Sequence, residues 1–487
     1  MKRRRNAILL FAISVAFLSS CANITSTVIE GDKTITFYYV NDTHGAFIRQ
    51  NTSTNYNEAG MAYISSFIKK EVAKDPDNSI VLSGGDMFQG GYESNITYGN
   101  IMVDAMNEIG FDAMVLGNHE LDWGEDTLID IASKLDCPII SANTFYKESK
   151  ERPEYVKPYI ILERDELKIG IIGAAIEHME NSILASISNR FEFRYPNDYL
   201  SEFSYKLRKE EHCDLVVAAL HDGGFDDVEH TFYYSELADI DQRTNQSYID
   251  GFFLAHDHQQ KNGKTRNNVP YIESGCNGRY IGKMVFNLEH DGRKFNITSS
   301  SSYNIGAYSN CRTEDKEISK LLTKYEAEIS GGNKVIYNFK NSYSRDDFAK
   351  IICDAMMWYV NSHLEDFDNK RVYFASHNPG GVRSTVASGE MTLRQLYTVC
   401  PFDNDMCIQR CTQAHMDFMK NEHDSFVTSE AEEIVFYENS YTYAVTITYL
   451  AEKDYYKNDI QLDYKEYNFI ARDALLEYLT NNINPSL

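Results

Sequence analysis

Six short apolar runs recur through the first half of the chain, at residues 34–40, 79–83, 113–116, 168–174, 215–220 and 251–254. Each is followed by a polar turn, often with glycine, and then by a more helical stretch. Runs of four to eight apolar residues bounded by turn signals predict strands buried on both faces, and their alternation with helical stretches predicts an α/β architecture. In such a fold the chemistry collects on the loops at strand ends. The residues directly after these runs therefore matter more than the runs themselves.

Five of the strand ends carry metal-binding residue types. The first run leads into Asn41, Asp42, Thr43, His44 and Gly45; the second ends in Gly84, Gly85 and Asp86. The third continues through Gly117, Asn118, His119, Glu120, Leu121 and Asp122. His221 follows the fifth run, and Ala255, His256, Asp257 and His258 follow the sixth. An Asp after a strand is ordinarily a turn former or a helix cap, and a lone His needs no special role. Five among six runs require another account. Asp42 and His44, two apart on an extended turn, can converge on one cation, and the glycines before Asp86 permit close backbone approach.

The ordered set DxH, GGD, GNHExD, H, HxH resembles the signature of the calcineurin-like metallophosphoesterases. GNHELDWG and NDTHG resemble its 5'-nucleotidase branch in particular, and the likeness runs from about Thr34 to Gly278. The resemblance implies two divalent ions, with Zn, Mn or Co favoured. Asp42, His44 and His258 would hold one, Asn118, His221 and His256 the other, and Asp86 would bridge them. Two such ions about 3.5–4 Å apart lower the pKa of a bound water and clamp an in-line displacement at phosphorus. His119 and Asp122 would form a catalytic pair, His119 donating to the phosphoryl oxygen or leaving group and Asp122 orienting its ring. Glu120 is expected to face the structure. The family usually carries glycine where Ala255 stands, which bears on the local backbone.

The second half of the chain resembles the 5'-nucleotidase C-terminal domain. Asn378-Pro379-Gly380-Gly381-Val382-Arg383 resembles its N-x-G-G-hydrophobic-R motif, and Pro401-Phe402-Asp403-Asn404 resembles its PFxN motif. By that resemblance Asn378, Gly381, Arg383, Phe402 and Asn404 bind substrate. Arg383 offers a planar fork to phosphate, and Phe402 a stacking face to the base. Arg345 and Lys350 are further candidate phosphate binders, beside a segment (CDAM, 353–356) similar to the family's xDAM. Family members also carry an aromatic followed by a GGDG loop. Here Tyr449 and Asp454 are the corresponding candidates, for the base and the ribose, but the glycines are missing. The implied fold is an N-terminal four-layer α/β/β/α sandwich (31–312), a linker helix (313–330) and a smaller α+β substrate-binding domain (331–487). A helix around 345–359, a strand at 372–375 and a strand pattern over 441–449 are expected in the last of these.

The N-terminus reads separately. Lys2 and Arg3 to Arg5 precede an apolar stretch that ends in Leu18-Ser19-Ser20-Cys21. This has the form of a secretion signal (1–20), and its end resembles a lipobox, which makes Cys21 the expected lipidation site. The expected location is thus the cell envelope, outside the cytoplasm, with a lipid anchor as the membrane contact. Eight further cysteines show no paired CxxC spacing of a structural zinc site. With 47 basic and 72 acidic residues the formal charge is −25, which opposes binding to nucleic-acid polymers. An anionic small substrate remains compatible, because bound cations invert the sign of one pocket. The expected reaction is hydrolysis of nucleoside 5'-phosphates; a related phosphodiesterase and a non-catalytic nucleotide-binding lipoprotein are the alternatives. Oligomeric state is not legible.

Overall fold

The computed structural model describes residues 31–50, 57–223, 248–265, 267–421, 427–428, 440–452 and 463–481. The signal segment, Cys21 and Asp454 lie outside them.

Two sheets stack face to face in the first half. One runs, in spatial order, Phe295–Gly306, Tyr280–His290, Lys33–Val40, Ser79–Ser83, Ala113–Val115, Ile139–Ile140 and Val156–Lys157. The other runs Gln260–Lys264, Pro270–Ser274, Gly251–Leu254, Leu215–His221, Leu167–Ala175 and Tyr159–Arg164. All six expected strands are present, with ends shifted by at most a residue. Alternation along each strand builds the layers. Ile35, Phe37 and Tyr39 point between the sheets, meeting Phe253 and Phe286, whose rings lie 5.1 and 5.9 Å from that of Phe37. Tyr38 and Val40 point outward, into the layer formed by helices Met61–Val72, Asn100–Ile109 and Glu125–Lys134. On the far side Val216, Ala218 and Leu220 pack against Leu200 and Leu207 of helix Pro196–Lys209. This is the α/β/β/α sandwich. The strand pairs Lys33–Val40 with Ser79–Ser83 and Leu167–Ala175 with Leu215–His221 are parallel, so the loops after them emerge at one edge, the usual place for ligands in open α/β sheets.

The expected linker helix is shorter and interrupted. It starts at Lys316, because the Asp315 side chain accepts the Glu317 N–H as a cap, and it breaks at Tyr325 before resuming at Glu326–Ile329. The Tyr325 hydroxyl donates to the Asp104 carboxylate at 2.8 Å, and Ile318 joins the core of the first domain. The segment is therefore fastened to the sandwich it leaves.

A separate core begins at Ile336. Its five-stranded sheet runs Val427–Thr428, Phe374–His377, Thr442–Ile447, Asp405–Cys411 and Tyr464–Ile470. Helix Arg345–Ser362, capped by the Ser344 side chain on the Asp347 N–H, packs Phe348, Ile352 and Met356 into this core with Leu475 and Leu479 of helix Ala471–Thr480. The expected strand at 372–375 is found at Phe374–His377, and the pattern at 441–449 divides into strand Thr442–Ile447 and helix Thr448–Glu452. All eight cysteines of the described residues are buried, and no two of them are bridged. No helix of the described residues is long and apolar enough to cross a membrane.

Candidate dimetal active site

The strand-end loops meet in one place. The His44 Nδ1–H points at the Gln89 carbonyl (3.2 Å), which turns its Nε2 toward His258 Nε2 at 2.9 Å; Asp42 Oδ1 lies 3.7 Å from the latter. His221 is held in the same manner by the Gly84 carbonyl at 2.8 Å, and its Nε2 reaches Asp86 Oδ2 at 3.2 Å and Asn118 Oδ1 at 3.1 Å. His256 Nδ1 is 3.0 Å from the same Asn118 oxygen. The structure thus groups Asp42 with His44 and His258, and Asp86 with His221 and His256, each within mutual reach of one cation. Backbone carbonyls that fix the far nitrogen of an imidazole are the usual support of a metal-ligating histidine.

This arrangement is held at a conformational cost. Asp42, His44, Asp86, His256 and His258 all have positive φ, between 45° and 79°. Non-glycine residues seldom adopt this region, and such strain gathers at functional sites. No sequence pattern signalled it. Ala255, where the family has glycine, is not among the positive-φ residues, so its backbone does not call for glycine.

Burial dominates the electrostatics. It pushes the Asp42 carboxyl up to about 7, with Asp86 adding to it, and pushes His256 down to about 4 and His258 down to about 3. Imidazoles kept neutral present lone pairs. His221 behaves otherwise: burial opposes its charge, but the Asp86 carboxylate prevails and raises it to about 10. The buried carboxylates of Asp42 and Asp86 beside the neutral rings of His256 and His258 form a donor set that fits divalent transition ions, and a cation at Asp86 would take over the charge that His221 supplies there.

Around this set stand groups of another kind. His119 Nδ1 is 2.7 Å from Asp122 Oδ2, and its backbone N–H donates to Asp86 Oδ1 at 2.8 Å. Its Nε2 lies 4.0 Å from Asp86 Oδ2 and 3.3 Å from Arg383 Nη2, which arrives from the second domain. Glu120 turns inward. Its carboxylate accepts the N–H groups of Gly117, Asp86 and Met87, each at 2.8 Å, and so fastens two of the loops together. A Cβ on Gly117 would sit 2.2 Å from Asp86 Oδ1, so glycine is required there.

A cavity of about 330 Å³ opens from this centre between the domains. Asp86, Asn118, His119, Asp122, His256 and His258 line one part of it, and Asn378, Gly380, Arg383, Phe402, Asn404 and Tyr449 another. Five of the expected substrate residues thereby share a space with the metal loops. The Phe402 ring centroid lies 5.5 Å from that of His119. Gly381 instead packs behind the cavity, where a Cβ would meet His377 Cε1 at 2.5 Å. Arg345 and Lys350 do not line it. The Arg345 guanidinium is occupied by the carbonyls of Val382 (2.6 Å) and Pro379, bracing the turn that carries Arg383, and half-buried Lys350 pairs with Asp347 at 3.6 Å. Residues missed by sequence reasoning are Asp403, Ser182, Ile183 and Leu184 on the cavity wall, and buried Arg472, which donates to the Pro401 carbonyl at 2.9 Å and pairs with Asp403. Asp403 lies inside the quoted Pro401–Asn404 motif; nothing at short range in the sequence marks the others.

Comparison with known proteins agrees with this geometry. Residues 35–260 match the family model of the calcineurin-like phosphoesterases, and residues 327–415 match the 5'-nucleotidase C-terminal domain. The protein UshA of Yersinia enterocolitica is 26% identical over 432 residues, covering 81% of this chain and 76% of its own length. A 5'-nucleotidase of Vibrio parahaemolyticus is 24% identical over 443 residues, covering 81% and 76%. Among solved structures, a 5'-nucleotidase precursor from Thermus thermophilus superposes with a TM-score of 0.74 at 17% identity, over 93% of this chain and 98% of its own. With a candidate dimetal centre at the edge of a calcineurin-like sandwich and a 5'-nucleotidase C-terminal domain facing it, the chain is a hydrolase of the 5'-nucleotidase family of metallophosphoesterases.

Proposed function

We propose that this protein is an extracytoplasmic nucleotidase that hydrolyses nucleoside 5'-phosphates to nucleoside and phosphate. The observation that carries this is the single cavity in which Arg383, Phe402 and Asn404 of the second domain face the Asp86, His119 and His256 loops of the first. Asp42, His44 and His258 would hold one ion and Asn118, His221 and His256 the other, with Asp86 between. Zn, Mn and Co suit a donor set of imidazoles, carboxylates and an amide oxygen. When bound, two such ions supply an activated water and charge neutralisation at phosphorus.

The chain's own groups do the rest. Arg383, held near His119 by the braced turn, takes phosphate oxygens with its planar fork. His119, with one nitrogen committed to Asp122, presents the other to the phosphoryl oxygen or departing 5'-oxygen and can donate a proton there. Phe402 offers its ring to the base, with Asn378 and Asn404 at its polar edges. Tyr449 is a second aromatic candidate; Asp454, proposed for the ribose, lies outside the described residues. The segment 1–20 would be removed and Cys21 lipidated, which anchors the enzyme to the envelope. Two units, 31–312 and 331–487, joined by 313–330, would be the working domains.

The test is a substrate panel on the mature protein, AMP, UDP-glucose and 2',3'-cyclic AMP with added Mn, Zn or Co, together with metal analysis. AMP is expected to be the best substrate and two ions per chain are expected. AMP as the poorest substrate, or fewer than two ions with no rate restored by any metal, would overturn the proposal.

A further inference from the structure

A short helix, Tyr92–Ile96, stands between the loop of Asp86 and the second domain. It packs on helix Leu393–Val399, which leads into the Pro401–Asn404 motif: the Tyr92 and Tyr397 ring centroids are 5.2 Å apart, and buried Glu93 pairs with Arg394 at 2.6 Å. Asn95, on the same short helix, is buried and bridges the two domains in another way. Its Oδ1 accepts the Gly90 N–H at 2.7 Å, and its Nδ2 donates to the Pro401 carbonyl, 306 positions away, also at 2.7 Å. The partners fix the orientation of the amide, since an N–H can only donate and a carbonyl only accept.

Each end of that bridge is one step from the site. On the first side the Gln89 carbonyl faces His44 Nδ1, and the Gly91 N–H donates to the His44 carbonyl at 2.7 Å. Gly90 lies so close that a Cβ there would stand 2.3 Å from the same carbonyl oxygen. On the other side Pro401 precedes Phe402, whose ring centroid is 5.5 Å from that of His119 and 5.4 Å from the Arg383 guanidinium carbon. Arg472 also donates to the Pro401 carbonyl, at 2.9 Å, but from within the second domain. It holds the motif in its own domain, whereas Asn95 holds it against the metal loop. We propose that Asn95 is a positioning residue, which sets the register between the Phe402 ring and the loop that supports His44, so that the base and the phosphate of one nucleotide are engaged together. A misplacement of about 1 Å can cost about 10²-fold in rate. The phosphate end has its own support, because Arg345 braces the turn of Arg383. The proposal rests on the nucleotidase reading above and adds a residue outside the motifs that support it.

The experiment compares kcat/KM for AMP with that for ribose 5-phosphate, which has the same reacting bond and no base. Asn95→Leu removes both bonds at similar volume and Asn95→Ala removes them with a void, so agreement between the two assigns the effect to the bonds. Glu93→Gln weakens the neighbouring domain contact and leaves the bridge in place. The wild type should prefer AMP by about tenfold to 100-fold, the range that stacking of one base on an aromatic ring supplies. In both Asn95 variants the preference should fall to about threefold or less. Inhibition by adenosine in those variants, and the preference in Glu93→Gln, should stay as in the wild type. An unchanged preference in the Asn95 variants, equal loss of both substrates, weaker inhibition by adenosine, or the same narrowing in Glu93→Gln overturns the inference alone, as does a wild type without preference. A wild type that hydrolyses UDP-glucose or 2',3'-cyclic AMP but neither AMP nor ribose 5-phosphate overturns the nucleotidase reading as well.

Discussion

The Nε2 atoms of His44 and His258 stand 2.9 Å apart, although the two residues are 214 positions apart in sequence. Both rings sit on backbone of positive φ, and Asp42 Oδ1 approaches the same point. Strain at both residues, combined with a meeting of two nitrogens, is sensible if a cation lies between them. Asp86 faces this group and the His221/His256 group alike. Asp86→Ala should therefore cost both ions, whereas His119→Ala should keep them and lose about 10²–10⁴-fold in kcat. Metal content by mass spectrometry, measured beside kcat, separates the two; equal metal loss in both variants would refute the division of roles.

The His119 and Asp122 contact predicts a pH effect. Burial disfavours the imidazolium of His119, but Asp122 and Asp86 outweigh it and raise the ring above its usual range. Removing the Asp122 charge removes part of that raise. In Asp122→Asn the alkaline limb of kcat/KM should move to lower pH, because the protonated donor is lost earlier as pH rises. An alkaline limb that stays in place would assign it to another group.

These two sites were legible because their residue types are unusual after strands, and strand ends such as Ser79–Ser83 and Gly251–Leu254 fall where the apolar runs stop. Other features were not legible because they depend on contacts between distant segments. The break at Tyr325 accompanies a bond to Asp104, and the switch from strand to helix at Thr448 accompanies docking on Ser186. Local pattern over 441–449 carries neither piece of information. Arg345 illustrates the limit for function as well: its charge suggested phosphate, but the Val382 and Pro379 carbonyls lie nearer. An arginine near a motif can brace the motif instead of touching its ligand.

Glu120 gives a prediction of that bracing kind. Three backbone N–H groups from the Asp86 and Asn118 loops converge on its buried carboxylate. In Glu120→Gln one oxygen becomes an NH₂, which must face an N–H donor. The expected cost is about 1.5–3 kcal/mol of stability, the range for a hydrogen bond to a charged group. Because the same loops carry the candidate ligands Asp86 and Asn118, affinity for the ions should fall about 10–100-fold. Denaturant midpoints of the metal-free protein and metal titration read the two effects separately, and unchanged metal affinity would remove Glu120 from the support of the site.

A last prediction concerns the second domain. His377 is buried where its strand meets the Asn378 turn, its Nδ1–H donates to the Asn378 carbonyl at 2.9 Å, and burial pushes it down to about 4. Unfolded, the ring titrates near about 6.5, so between those values the unfolded chain holds a proton that the native domain does not. Stability from this group is complete above about pH 6.5 and is lost as pH falls toward about 4, amounting to about 2 kcal/mol by pH 5. Of the chain's two tryptophans, Trp358 packs on the core of this domain, so its fluorescence in a Trp123→Phe background follows the relevant unfolding. In that background the urea midpoint should drop between pH 7.5 and pH 5, and His377→Asn should flatten the drop even if it lowers the midpoint at every pH. Equal slopes with and without the imidazole would mean that other groups set the acid sensitivity of the domain that carries Arg383.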